Sequence, residues 1–142
     1  MMAVDEGHNS QEQSAKRLKR LLQSYVDADT YSFEGFTQIE VSSVGKELET
    51  PLHMIVTRGD ADGVELLIEA GADVNARTDI DSTPLHRAVI GGNLAIIKML
   101  LTAGADPNAV DHFGATAASL AEGRPNREEI RTLLRRRHDG GA

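Results

Sequence analysis

Residues 50–53 read TPLH, and residues 83–86, 33 positions further on, read TPLH again. The correspondence does not stop at four letters. Displaced by the same 33 residues, "EAGADVNA" (69–76) falls on "TAGADPNA" (102–109), "VELLIEAG" (64–71) falls on "IKMLLTAG" (97–104), and Gly59 falls on Gly92. A second displacement carries Thr83 onto Thr116, inside "DHFGATAASLA", and Met99-Leu100 onto Thr132-Leu133. A constant period of this size marks stacked structural repeats, in which each unit buries its apolar face only against its neighbours.

One unit can be built from elementary rules. Thr83 is an N-cap, its hydroxyl able to accept from the free amides of a first helical turn. Pro84 stands at the first helical position, where its missing N–H costs nothing. Leu85, Ala88 and Val89 then share one face of a short helix that Gly91-Gly92 ends. A second helix follows, with Ile96, Ile97, Leu100 and Leu101 on its apolar stripe and Gly104 at the left-handed position that closes it. "ADPNAVDHFG" is a polar turn segment leading to the next Thr. Each unit is therefore helix, turn, helix, long turn.

The pattern "TPLH…G…LL…GAD.N" on a period of 33 resembles the ankyrin repeat. Two full copies and a partial third make the resemblance specific, and it covers residues 44–138. It implies an all-α ankyrin-repeat solenoid: residues 11–43 as a degenerate first repeat, 44–77 and 78–110 as repeats, 111–138 as an atypical capping repeat. Residues 1–10 are expected to be a disordered N-terminus and 139–142 a tail. The outer helix of the first repeat is expected from Gln11, with Leu18, Leu21, Leu22, Tyr25 and Val26 on one face. "SFEGFT" (32–37) parallels "DHFGAT" (111–116), which places a turn tip at 32–37 and leaves 38–49 as an insert. The resemblance further implies that ligands meet the turn tips and the inner helices. Carried over position by position, the expected partner-binding residues are Arg58, Arg77, Asp79, Ile80, Ser82, Ile90, Val110, His112 and Phe113. Phe33 is expected as a third rung beside Ile80 and Phe113.

Composition narrows the function. The chain has 142 residues, a net charge of −7 and no cysteine, which excludes thiol catalysis and disulfides. An acidic surface repels phosphate backbones and favours a basic protein partner, so no nucleic acid is expected. No membrane span or export signal is apparent, and the expectation is a cytoplasmic monomer. No cofactor, metal or catalytic motif is recognisable. "DIDS" (79–82) and "DADTYSFEG" (27–35) lack the full donor alternation of a calcium loop. Thr50, His53, Gly71, Thr83, His86 and Gly104 are expected to be structural. Stacking puts His53 and His86 about 10 Å apart, one layer each, too far for a zinc whose ligands lie about 2 Å from it.

The reading is a non-enzymatic module that binds one protein partner. An inhibitor or immunity protein against a basic bacterial toxin is one form of it, and a regulatory adaptor is another. The rival class is a metal-dependent hydrolase using His53 and His86. Replacing both histidines with Ala separates the classes. A scaffold loses melting temperature, since each buried hydrogen bond contributes about 1 kcal/mol, whereas an enzyme keeps its melting temperature and loses turnover.

Overall fold

The computed structural model describes residues 6–27, 33 and 38–140, with side chains from residue 10 to residue 136 within those ranges. Among the described residues there are seven α-helices and no strand. They are α1 (Glu6–Asp27), α2 (Pro51–Arg58), α3 (Ala61–Glu69), α4 (Pro84–Gly91), α5 (Leu94–Thr102), α6 (Ala117–Ala121) and α7 (Arg127–Gly140). α1 starts at Glu6, earlier than Gln11, and α7 runs through the expected boundary at 138 to Gly140.

The repeated threonine begins every inner helix. Thr50, Thr83 and Thr116 each accept, through the hydroxyl, the N–H three residues on, at 3.3, 3.3 and 3.2 Å. In α2 and α4 the third-position histidine returns the bond. Thr50 N–H donates to His53 Nδ1 at 3.3 Å, and Thr83 N–H to His86 Nδ1 at 3.1 Å. Asp60 and Asn93 cap the outer helices α3 and α5, accepting from Gly63 and Ile96 N–H at 3.0 and 3.1 Å. Gly71 and Gly104 follow those helices with φ of +92° and +103°, a backbone that a Cβ would strain.

Two rows of helices result. α2, α4 and α6 pack in sequence as the inner row, and α1, α3, α5 and α7 as the outer row. Between the rows lie Leu52, Ile55, Leu67, Leu85, Val89, Ile96, Ile97, Leu100 and Ile130, all buried. Each fully buried aliphatic side chain contributes about 1.5–3 kcal/mol, which makes this core the main source of stability. No inner helix stands before α2 among the described residues. Leu22, Tyr25, Phe33 and Ile39 join the core at that end instead.

Polar ties set the spacing between units. His53 Nε2 meets the Ser82 carbonyl at 3.0 Å, and His86 Nε2 meets the Ala115 carbonyl at 3.0 Å. Because each Nδ1 accepts a backbone N–H, the ring proton belongs on Nε2, which donates to the next unit. Asn75 donates to the Gly104 carbonyl at 3.1 Å and accepts from Asp106 N–H at 2.8 Å. Asn126 donates to the Gly92 carbonyl at 2.9 Å. The last unit ends the stack by substitution: Ala118, Ser119 and Glu122 align with the buried Leu85, His86 and Val89, and all three are exposed.

The expected insert at 38–49 is corrected here. Gly45 N–H donates to Glu49 O at 2.8 Å, Thr78 N–H to Ser82 O at 3.0 Å, and Asp111 N–H to Ala115 O at 3.0 Å. These three bonds fall on the 33-residue period, so residues 44–49 are a tip in register with 77–82 and 110–115. Of the expected insert, residues 38–43 alone lie outside that tip. Of the tip expected at 32–37, only Phe33 lies within the described residues.

Burial, first of all, pushes the His53 imidazole below its ordinary pKa. The bond to the Ser82 carbonyl opposes this, the Arg87 charge adds to it, and the Glu49 charge and a bond to the Ala76 backbone oppose it. The unfolded chain then takes up a proton near pH 6.5 while the folded one resists it. This group's stabilisation is complete above pH 6.5 and is lost as pH falls through that value towards the lower folded pKa. The melting temperature should therefore fall between pH 7.5 and 5.5, with a smaller slope in His53→Gln. Thermal denaturation across that window reads the difference in slope.

Candidate functional site

The three tips carry most of the large hydrophobics that the described residues expose. Each is joined to the next by one backbone bond: Asp79 N–H donates to Glu47 O, and His112 N–H to Ile80 O, both at 2.9 Å. Glu47, Ile80 and Phe113 therefore occupy equivalent rungs. Arg77 adds a side-chain tie to the Val110 carbonyl at 3.0 Å. In the last tip the Asp111 carboxylate accepts from the N–H groups of Phe113 and Ala115 at 2.9 and 2.8 Å. That fixes Phe113 at the apex, where it is 76% exposed, with the His112 ring edge-on at 5.7 Å.

The large hydrophobic residues that are exposed, among those described, are Val44, Leu48, Ile80, Ile90, Val110 and Phe113. Five lie on the tips, and Ile90 lies at the C-terminal end of α4. Single exposed aliphatics are ordinary, but five of these six gather on one class of loop.

Two expected contact residues are corrected. Phe33 is 2% exposed and belongs to the core, beside Leu22, Tyr25 and Ile39; Glu47 takes its rung. Ser82 is 6% exposed because its carbonyl receives the His53 imidazole and its N–H bonds the Thr78 hydroxyl. Arg58, Arg77, Asp79, Ile80, Ile90, Val110, His112 and Phe113 are all exposed. Of these, Arg58 stacks on the Tyr25 ring, 4.2 Å from its centroid. Val44, Glu47 and Leu48 escaped sequence reading because "GKELE", "TDIDS" and "DHFGA" share almost no letters. The signal was the register fixed by TPLH itself.

The first tip is under backbone strain. Glu47 (φ 59°, ψ 22°) and Leu48 (φ 60°) are both left-handed, and Glu49 N–H closes onto Lys46 O at 3.2 Å. This is a type I′ turn, normally made by Asn-Gly. The other tips place one left-handed residue, Asp81 or Gly114, at the position of Leu48. A left-handed L-residue costs roughly 1–2 kcal/mol, and here the cost holds an exposed leucine at an apex. Behind it Glu49 forms an ion pair with Arg87, which also donates to the Thr57 hydroxyl at 3.1 Å. The first tip is thus anchored to the second inner helix.

Residues 1–111 match the family model for ankyrin repeats, in three copies. The chain belongs to the ankyrin-repeat family. Such repeats are protein–protein interaction modules, and the match takes in α1 and stops where the last unit of this ankyrin-repeat protein begins. A search among curated proteins returned no match. No helix among the described residues is long and apolar enough to cross a membrane. Both nitrogens of His53 and of His86 are engaged by their own repeat or the next, so ligating a metal would require breaking those bonds.

Replacing Leu48 with Gly removes the left-handed strain and should stabilise the fold by about 1 kcal/mol. Denaturant unfolding should show a higher midpoint with an unchanged slope.

Proposed function

We propose that this ankyrin-repeat protein is a non-catalytic module that docks one protein partner along its tips. The observation that carries the reading is the confinement of exposed large hydrophobics to the tips and to Ile90. Leu48, Ile80 and Phe113 supply apolar anchors of the kind that dominate binding energy. Exposed carboxylates of Glu47, Asp79 and Asp81 stand among them and favour a partner with a basic surface, whose approach they would accelerate. A non-enzymatic role agrees with the engagement of His53 and His86 at both ring nitrogens. Inhibition of a basic toxin is one form such docking would take.

The test is affinity capture from native lysate with three baits: the wild-type chain, a Leu48→Ser/Ile80→Ser/Phe113→Ser variant, and an outer-row control, Lys98→Glu. The partner should be retained by wild type and control and weakened at least tenfold by the tip variant, a loss within the range of single hot-spot residues. Equal capture by all three baits refutes the tip row. Raising salt should weaken capture if the carboxylates contribute.

A further inference from the structure

The two layers of the last unit end differently. In the helical layer, Ala118, Ser119 and Glu122 stand where the preceding unit has Leu85, His86 and Val89. Glu122 there pairs with Arg131, and Ser119 Oγ turns back to the Thr116 carbonyl at 2.9 Å. At the positions that carry the imidazole and the apolar face in the preceding unit, the last unit thus presents a short hydroxyl, a methyl group and a carboxylate. The tip layer has no such closure. Glu47 O and Ile80 O each receive an N–H from the following tip, and the equivalent acceptor, Phe113 O, receives none from any described residue. The residue that carries it is the most exposed large hydrophobic among those described. A complete further repeat is therefore a poor fit to this end, while an extended strand of backbone fits it well.

We propose that the Phe113 edge receives an extended segment of the partner as a fourth rung. A backbone N–H of that segment donates to Phe113 O in the register of Asp79 and His112, and an aliphatic side chain lies against the Phe113 ring. Main-chain pairing of this kind supplies affinity, and alternate side chains supply selectivity. The segment is basic. The second tip, one rung behind Phe113, presents Asp79 and Asp81 to solvent, and its one cation, Arg77, is already bonded to Val110 O. This proposal rests on the tip-row reading and specifies how the partner enters it.

The probe is acetyl-Lys-Val-Lys-Val-Lys-amide, titrated into the 15N-labelled full chain. The Gly114 amide nitrogen reports bonding at the Phe113 carbonyl, to which it is joined. Its resonance should move with saturation, together with those of His112 and Phe113. A peptide N-methylated at both valines, which lacks their N–H donors, and a peptide with Glu in place of Lys should each bind about tenfold more weakly or worse. Phe113→Ala, an exposed site whose melting temperature should be unchanged, should weaken the parent peptide to a similar degree. No shift at Gly114, equal binding of either altered peptide, or equal binding to Phe113→Ala would overturn the proposal. A failed titration beside tip-dependent capture of the partner overturns the edge alone and leaves the tip-row reading standing.

Discussion

Each imidazole of a TPLH motif is fixed at both nitrogens, and the rest of the architecture follows from that constraint. One nitrogen accepts the N–H of the threonine that caps its own helix, and the other donates to a carbonyl just before the next threonine. A single ring therefore sets the start of a helix and the distance to the following unit. Buried polar groups tolerate no loose ends, since an unpaired one costs about as much as several good contacts gain. The tetrapeptide recurs because two requirements, one local and one between units, meet in the same side chain.

Helices and their order were legible because they depend on side-chain identity. Caps, an N-terminal proline, closing glycines and an apolar stripe are written in letters, and a 33-residue shift superposes them. The tips were less legible because backbone bonds make them. Gly45, Thr78 and Asp111 have nothing in common as side chains, yet their N–H groups perform the same act. That is why residues 38–49 looked like an insert when half of them complete a tip. Phe33 misled for a related reason: its sequence neighbours resemble those of Phe113, but its ring is buried in the core with Leu22, Tyr25 and Ile39.

Among the candidate contact residues, apolar character at a turn apex could be read directly at Ile80, Val110 and Phe113. Ser82 could not be judged that way. A serine between Asp81 and Thr83 looks solvent-bound until its carbonyl is seen to be the acceptor for His53. Leu48 was hidden by conformation. Leucine is a poor choice for a left-handed turn, so nothing local announces one there, and only the register imposed by Thr50 places it at an apex. Local preference yields at that point to the demands of the ladder.

The ion pair between Glu49 and Arg87 has a bearing on how the molecule comes apart. In a linear array, stability is a sum of unit terms and nearest-neighbour couplings. This bridge, with the Arg87 bond to Thr57, reinforces the coupling between the first two TPLH units and has no counterpart at the last, where Leu120 takes the place of arginine. The junction of α2 with α4 therefore carries a reinforcement that the junction of α4 with α6 lacks at the corresponding position. The tip bearing Phe113, the most exposed large hydrophobic among the described residues, stands at that less reinforced junction.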